Sequence, residues 1–274
     1  MALQQILSRA LKYIVRGVPK VNVSANISYL DSGSHLKNKR IIITGGSKGL
    51  GYAMAKKFIS EGASVLISGR NEKTLEEAAK ELGCHSLKLD VTDISKHESF
   101  IKNAYEMLGG IDCLVNNAGI SLHEKSFLYV TEEQFDAQFN TNLKGMYFLT
   151  QAFLKYKTEN KEKGNILFVS SERGETVEVL PYGLTKAAIT SFVKGLAARY
   201  IKHGIRINGI APGVTASEMT GFDPNGNLYC DYNITKRVYL PEEVAEVASF
   251  LISDVSAPLN GQILVCNEGK TLNV

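Results

Sequence analysis

The segment Arg40–Gly51, RIIITGGSKGLG, decides how the rest of the chain is read. Ile41, Ile42 and Ile43 lead through Thr44 into Gly45 and Gly46, the pattern of a short strand buried on both faces and cut off by a turn. Helical spacing begins at Leu50 and runs to about Glu61. A strand that turns through glycines straight into a helix leaves unbonded N–H groups and the positive end of the helix dipole at the turn. Glycine there lets the backbone come close to a phosphate. The spacing is G-x-x-x-G-x-G rather than G-x-G-x-x-G. Set between a buried strand and a helix, it points to a dinucleotide site. Gly45, Ser47, Lys48, Gly49, Leu50 and Gly51 are the candidate loop residues.

Outward from this turn the pattern alternates. Strands are expected at Arg40–Thr44, Ser64–Ser68, His85–Leu89, Asp112–Asn116, Ile166–Ser170, Arg206–Ala211 and Gln262–Cys266. Between them helices are expected at Leu50–Glu61, Glu72–Leu82, Ile94–Leu108, Glu132–Lys155, Tyr182–Lys202 and Pro241–Ile252. Thr131 is placed to cap the fourth helix and Pro241 to start the last. Such alternation implies right-handed βαβ units: an α/β fold with one doubly wound parallel sheet of about seven strands and helices on both faces. Its ligand belongs at the carboxyl ends of the strands. Residues 39–274 form this domain, and 1–38 read as an extension.

The end of the second strand bears on which dinucleotide fits. A ribose without a 2′-phosphate is usually held by an acid there. This chain has Ser68-Gly69-Arg70-Asn71 instead. A carboxylate repels a phosphate, whereas a guanidinium grips one with two hydrogen bonds. With Lys48 as a second cation in the loop, the expectation is NADP(H).

Further on, NILFVSSERGETVEVLPYGLTK at Asn165–Lys186 brings a strand-end pair, Ser170-Ser171, before Tyr182 and Lys186. The last two are four apart and share a helical face. The spacing alone means little: twelve tyrosines and 23 lysines in 274 residues give about one such pair by chance. A second pair, Tyr232/Lys236, exists. It follows an Asp/Asn/Gly/Pro-rich segment without an upstream strand-end serine, and is read as the chance one.

Taken in order, these motifs resemble the short-chain dehydrogenases/reductases of standard length, over about Lys39–Gly269. They are TGGSKGLG at Thr44–Gly51, Asp90 after the third strand, NNAG at Asn116–Gly119, NLKG from Asn142, Ser170-Ser171, Tyr182-x-x-x-Lys186 and RINGIAPG at Arg206–Gly213. The resemblance implies a Rossmann-type fold and hydride transfer between a nicotinamide and a carbonyl or secondary alcohol. Tyr182 would be the general acid or base, Lys186 would add positive charge and bind the ribose, and Ser171 would donate to the substrate oxygen. Asn142 would hold a water, although it could instead bridge backbone. The Ser171–Tyr182 loop is a couple of residues short for the family, so Ser170 stays an alternative. The resemblance also puts Asp90 and Val91 near the adenine, Asn117, Ala118 and Gly119 along the cofactor cleft, and Pro212 and Gly213 on the nicotinamide side. It implies a homodimer or homotetramer too. Cys266-Asn267-Glu268-Gly269 departs from the usual aspartate and two glycines, and Thr185 replaces serine before the lysine. A 3-oxoacyl-thioester reductase and a non-catalytic dinucleotide-binding regulator are the alternatives.

Composition bounds the rest. The chain is 44% hydrophobic and 22% charged, with a net charge of +3. No basic block suggests nucleic acid. The four cysteines and five histidines are scattered without metal-ligand spacing, so no metal site and a reducing, cytoplasmic setting are expected. Within residues 1–38, Leu3, Leu7, Leu11 and Ile14 form an apolar stripe among Arg9, Lys12, Arg16 and Lys20. The preferred reading is a helix packing on protein; membrane-surface association and a transit peptide compete with it. Glu172, Arg173, Glu175 and Glu178 beyond the fifth strand hint at a polar substrate.

Overall fold

The computed structural model describes residues 33–272, so the readings of Leu3–Lys20 lie outside the described residues. Seven parallel strands form one sheet in the order β3-β2-β1-β4-β5-β6-β7. They are β1 (Arg40–Thr44), β2 (Ser64–Gly69), β3 (His85–Lys88), β4 (Cys113–Asn116), β5 (Gly164–Val169), β6 (Ile205–Pro212) and β7 (Ile263–Cys266). The chain winds outward one way through β2 and β3 and the other way from β4 onward. The switch point therefore lies between β1 and β4, where this class of sheet opens a crevice for ligands.

Helices cover both faces: α1 (Gly49–Ser60), α2 (Glu72–Leu82), α3 (His97–Leu108), α4 (Glu132–Gln138), α5 (Met146–Glu159), α6 (Pro181–Tyr200) and α7 (Pro241–Ile252). Ile41 and Ile43 point into one core with Met54, Phe58 and Leu75 of α1 and α2 and Val244 and Leu251 of α7. Ile42 points into the other, against Phe100 of α3, Phe153 of α5 and Val193 of α6. The two-residue period of a strand sends alternate side chains to opposite faces, and both faces here are covered. Burying each isoleucine contributes about 1.5–3 kcal/mol.

Many element ends fall one to three residues from the expected positions, and two of the differences have clear physical causes. Asp112 lies just before β4, and its carboxylate accepts from the Arg40 backbone N–H at 2.9 Å and from Nε at 2.8 Å. It closes the end of β1 remote from the crevice. The single helix expected over Glu132–Lys155 is three pieces. Thr131 does cap α4 in a capping box with Gln134. The wider turn of a π-helix then spans Phe139–Gly145, and α5 resumes the α-helical path. Gly145 runs so close to the Val91 carbonyl that a Cβ would overlap it.

Candidate active site

The glycine turn sits at the switch point. Gly45 and Gly49 take φ of 64° and 55°, the left-handed region that side chains disfavour. A Cβ on Gly51 would overlap the Gly45 carbonyl, so only glycine lets the first turn of α1 settle on the loop. Asn117 clamps the same loop, its Nδ2 donating to the carbonyls of Thr44 at 2.9 Å and Gly45 at 3.1 Å. The Thr44 hydroxyl in turn accepts from the N–H groups of Asn117 and Ala118, each at 3.0 Å. Lys48 precedes α1 in extended conformation and supplies no side-chain cap, and the first turn carries no acid. The N–H groups there are left for an anion. These features fit the pyrophosphate of a dinucleotide, which would be held by the Gly45–Gly51 backbone.

Around that loop, the cations differ in state. Lys48 is paired with Glu218 of the segment after β6. Arg70 is exposed just past β2 and has no ion pair among the described residues. The hydroxyl of Ser68, one of the last residues of β2, is buried without a partner. Asp90 accepts from the Thr92 N–H at 2.9 Å and its hydroxyl at 2.7 Å, which holds its carboxyl below the usual range, with Arg70 adding to the effect. Val91 is buried, and its carbonyl accepts from His97 Nε2 at 3.0 Å.

On the other side of the crevice, β5 ends in the two serines and α6 begins at Pro181. The Ser170 hydroxyl donates to the Lys186 carbonyl at 3.1 Å, tying strand to helix. The Ser171 hydroxyl instead accepts from the Arg173 N–H at 3.2 Å and lies where it favours the Tyr182 anion. Burial pushes the Tyr182 phenol up, Ser171 and Arg173 pull it down, and Glu172 pushes it up again. Lys186 Nζ is 5.6 Å from the centre of the Tyr182 ring and donates to the Val169 carbonyl at 2.9 Å. Burial alone lowers that ammonium to about 8, so it is mostly protonated at neutral pH. Gly119 packs against it: a Cβ there would sit 3.6 Å from Nζ.

Asn142 lies in the π-helical turn, fully buried. Its Oδ1 accepts from the Ile120 N–H and its Nδ2 donates to the Ile120 carbonyl, both at 2.8 Å, with Thr185 Oγ1 at 3.3 Å. The side chain thus bridges backbone. Thr185 closes the link by donating to the Tyr182 carbonyl at 2.6 Å. Pro212 ends β6, and the Gly213 N–H donates to the Cys266 carbonyl at 2.9 Å. Tyr232 and Lys236 share no helix; Lys236 sits in a turn and donates to the Asp231 carbonyl at 2.7 Å. Sequence reasoning gave no bonding role to Thr44 or Thr185 and did not single out Glu218, because their partners come together only in the fold. Among the described residues no three acidic, histidine or cysteine side chains group as a metal site, and no helix is long and apolar enough to cross a membrane.

A parallel sheet switching at a glycine turn, with serine, tyrosine and lysine together beside it, defines a nicotinamide-dependent oxidoreductase of the Rossmann type. The chain belongs to the short-chain dehydrogenase family, whose model matches residues 39–226. Oxidoreductase UcpA of Salmonella typhimurium is 35% identical over 255 residues, covering 86% of this chain and 96% of the relative. The L-rhamnose 1-dehydrogenase (NADP(+)) of Thermoplasma acidophilum is 31% identical over 250 residues, covering 87% and 98%. Among solved structures, 3-ketoacyl-(acyl-carrier-protein) reductase from Brucella melitensis complexed with NADH superposes with a TM-score of 0.79 at 27% identity, covering 86% of this chain and all of that one.

Proposed function

We propose that this oxidoreductase uses NADP(H) and transfers hydride between the nicotinamide and a carbonyl or secondary alcohol substrate. The observation that carries the reading is the meeting of Tyr182, Lys186 and Ser171 at the crevice beside the glycine turn. When bound, the dinucleotide supplies the hydride. Tyr182 gives a proton to the substrate oxygen during reduction and takes it back during oxidation. Ser171 donates a hydrogen bond to that oxygen as charge gathers on it. Lys186, held by the Val169 carbonyl, places a cation near the ring and so favours the phenolate that remains. Asn142 fixes the Ile120 backbone and, through Thr185, the start of α6. Asn117 and Gly119 keep the cleft floor in register with the glycine turn and with Lys186.

The preference for NADP(H) is supported by Arg70, exposed where an acid would hold an unphosphorylated ribose. A homo-oligomer is supported by a groove of about 730 Å³ between the π-helical turn, α5 and α6, lined by Phe139, Leu143, Tyr147, Phe148 and Phe192. A second copy presenting the same helices would bury it as a two-fold interface. The charges beyond β5 lend little support to a polar substrate, because the fold itself uses them. Arg173 pairs with Glu178, Glu175 accepts from the Thr190 hydroxyl at 2.7 Å, and Glu172 pairs with Lys270. A panel of carbonyl compounds assayed for NADPH consumption tests the proposal. Turnover of at least one class is expected. Silence across the panel with intact NADPH binding would favour a dinucleotide-binding regulator.

A further inference from the structure

Glu172 is a carboxylate in a costly position. It follows Ser171 directly, opens the short turn Glu172–Glu175, and is 7% exposed. A buried carboxylate needs partners, and these come from the far end of the chain. Its Oε2 accepts from Asn267 Nδ2 and its Oε1 from Lys270 Nζ, both at 3.1 Å. Asn267 also donates to the Thr271 hydroxyl at 3.1 Å, and Lys270 to Asn233 Oδ1 at 3.2 Å. The Lys270 ammonium lies 5.1 Å from the centre of the Tyr232 ring. The carboxylate therefore joins the serine turn to the turn after β7, and Lys270 carries the link on to the segment after β6. It also faces Gly213, where a Cβ would stand 3.3 Å from Oε2.

Glu172, Arg173 and Ser171 face Tyr182 from the turn after β5, and Lys186 faces it from α6. Arg173 is engaged by Glu178, which packs on Gly183. Glu268 accepts from the Thr235 hydroxyl, and burial pushes the Tyr239 phenol up, with Glu268 and Glu172 adding to the effect. Lys270 is the only cation paired with the Glu172 carboxylate among the described residues.

We propose that Glu172 is a positioning residue for the reaction proposed above, on which this inference rests: tethered by Asn267 and Lys270, it holds the Ser171 turn in place and fixes a negative charge beside Tyr182. The charge opposes loss of the phenolic proton. A tyrosine kept protonated to higher pH can still donate to a carbonyl oxygen there, so Glu172 extends reduction toward alkaline pH. Lys270 tempers that charge, and removing it should act in the opposite sense to removing Glu172. A carboxylate serving only as a tether would give no such opposition.

The test is a ¹⁹F NMR titration of fluorotyrosine-labelled protein, with the Tyr182 resonance assigned by its absence in Tyr182→Phe. Wild type, Glu172→Gln and Lys270→Gln are compared. The Tyr182 midpoint should fall by about half a pH unit or more in Glu172→Gln and rise in Lys270→Gln. The alkaline limb of the reduction profile should move in the same two directions, with kcat changing more than KM. A Glu172→Gln midpoint equal to wild type would overturn the proposal, as would both variants moving the same way. Because the titration needs no turnover, an inactive wild type that still showed these shifts would fault the reaction rather than the role of the charge.

Discussion

Lys186 should make the protein less stable than it would be without it. Its ammonium is buried at the crevice floor with one carbonyl partner, and burial lowers it from 10.5 to about 8. At ~1.4 kcal/mol per tenfold change in its equilibrium, carrying this charge costs the folded state about 3 kcal/mol. Lys186→Met removes the charge and keeps most of the apolar stem, but it leaves the Val169 carbonyl unpaired and returns part of the gain. A net stabilisation of about 1–2 kcal/mol at pH 7 is expected. The pH dependence has a definite sign. Below about 8 the lysine is protonated both folded and unfolded, and the wild type bears the full cost. Between about 8 and 10.5 it is neutral in the fold but still charged in the unfolded chain. The unfolded state then binds more protons, and wild-type stability rises with pH relative to the variant. Urea unfolding of both proteins without ligand, from pH 6 to 10.5, measures the gap. A variant no more stable than wild type at pH 7, or a gap that does not change with pH, would refute the reasoning.

Other substitutions probe separate parts of the site. Arg70→Asp should weaken NADPH binding at least tenfold while changing NADH binding little, as read by fluorescence titration of both; equal losses would remove Arg70 from phosphate recognition. Gly51→Ala forces a methyl group onto the Gly45 carbonyl and should cost about 1–3 kcal/mol in thermal unfolding, with loss of dinucleotide binding. Ser171→Ala should lower kcat by about 10²-fold and cost about 1 kcal/mol of stability through the lost bond from the Arg173 N–H. Ser170→Ala should chiefly destabilise, by about 1 kcal/mol, through the lost bond to the Lys186 carbonyl.

The frame of the fold was legible because its signals are local. Ile41–Ile43, Leu66–Ile67 and Ile166–Val169 are apolar runs cut off by glycine or serine, and both faces of the sheet are covered, so a short run suffices to mark a strand. Even the cap at Thr131 could be read from its own neighbourhood. The break in the helix after it could not. The π-helical turn accompanies a close approach of Gly145 to Val91, more than fifty residues earlier in the chain, and no periodicity within Glu132–Lys155 records that approach. The role of Glu172 was hidden for the same reason: in sequence it is one of several loop charges, and its partners Asn267 and Lys270 lie 95 and 98 positions away. Adjacent serines posed a subtler problem. Ser170 and Ser171 are chemically alike, and their surroundings separate them: one hydroxyl on a helix carbonyl, the other beside a phenol.

The most direct measurement compares wild type with Tyr182→Phe. Both are titrated with NADPH, then followed at 340 nm with a carbonyl substrate that wild type turns over. The account predicts equal NADPH affinity within about twofold, with turnover by the variant reduced at least 10³-fold, since phenylalanine keeps the ring and removes only the proton carrier. A variant that binds NADPH normally and retains turnover within tenfold of wild type would contradict it.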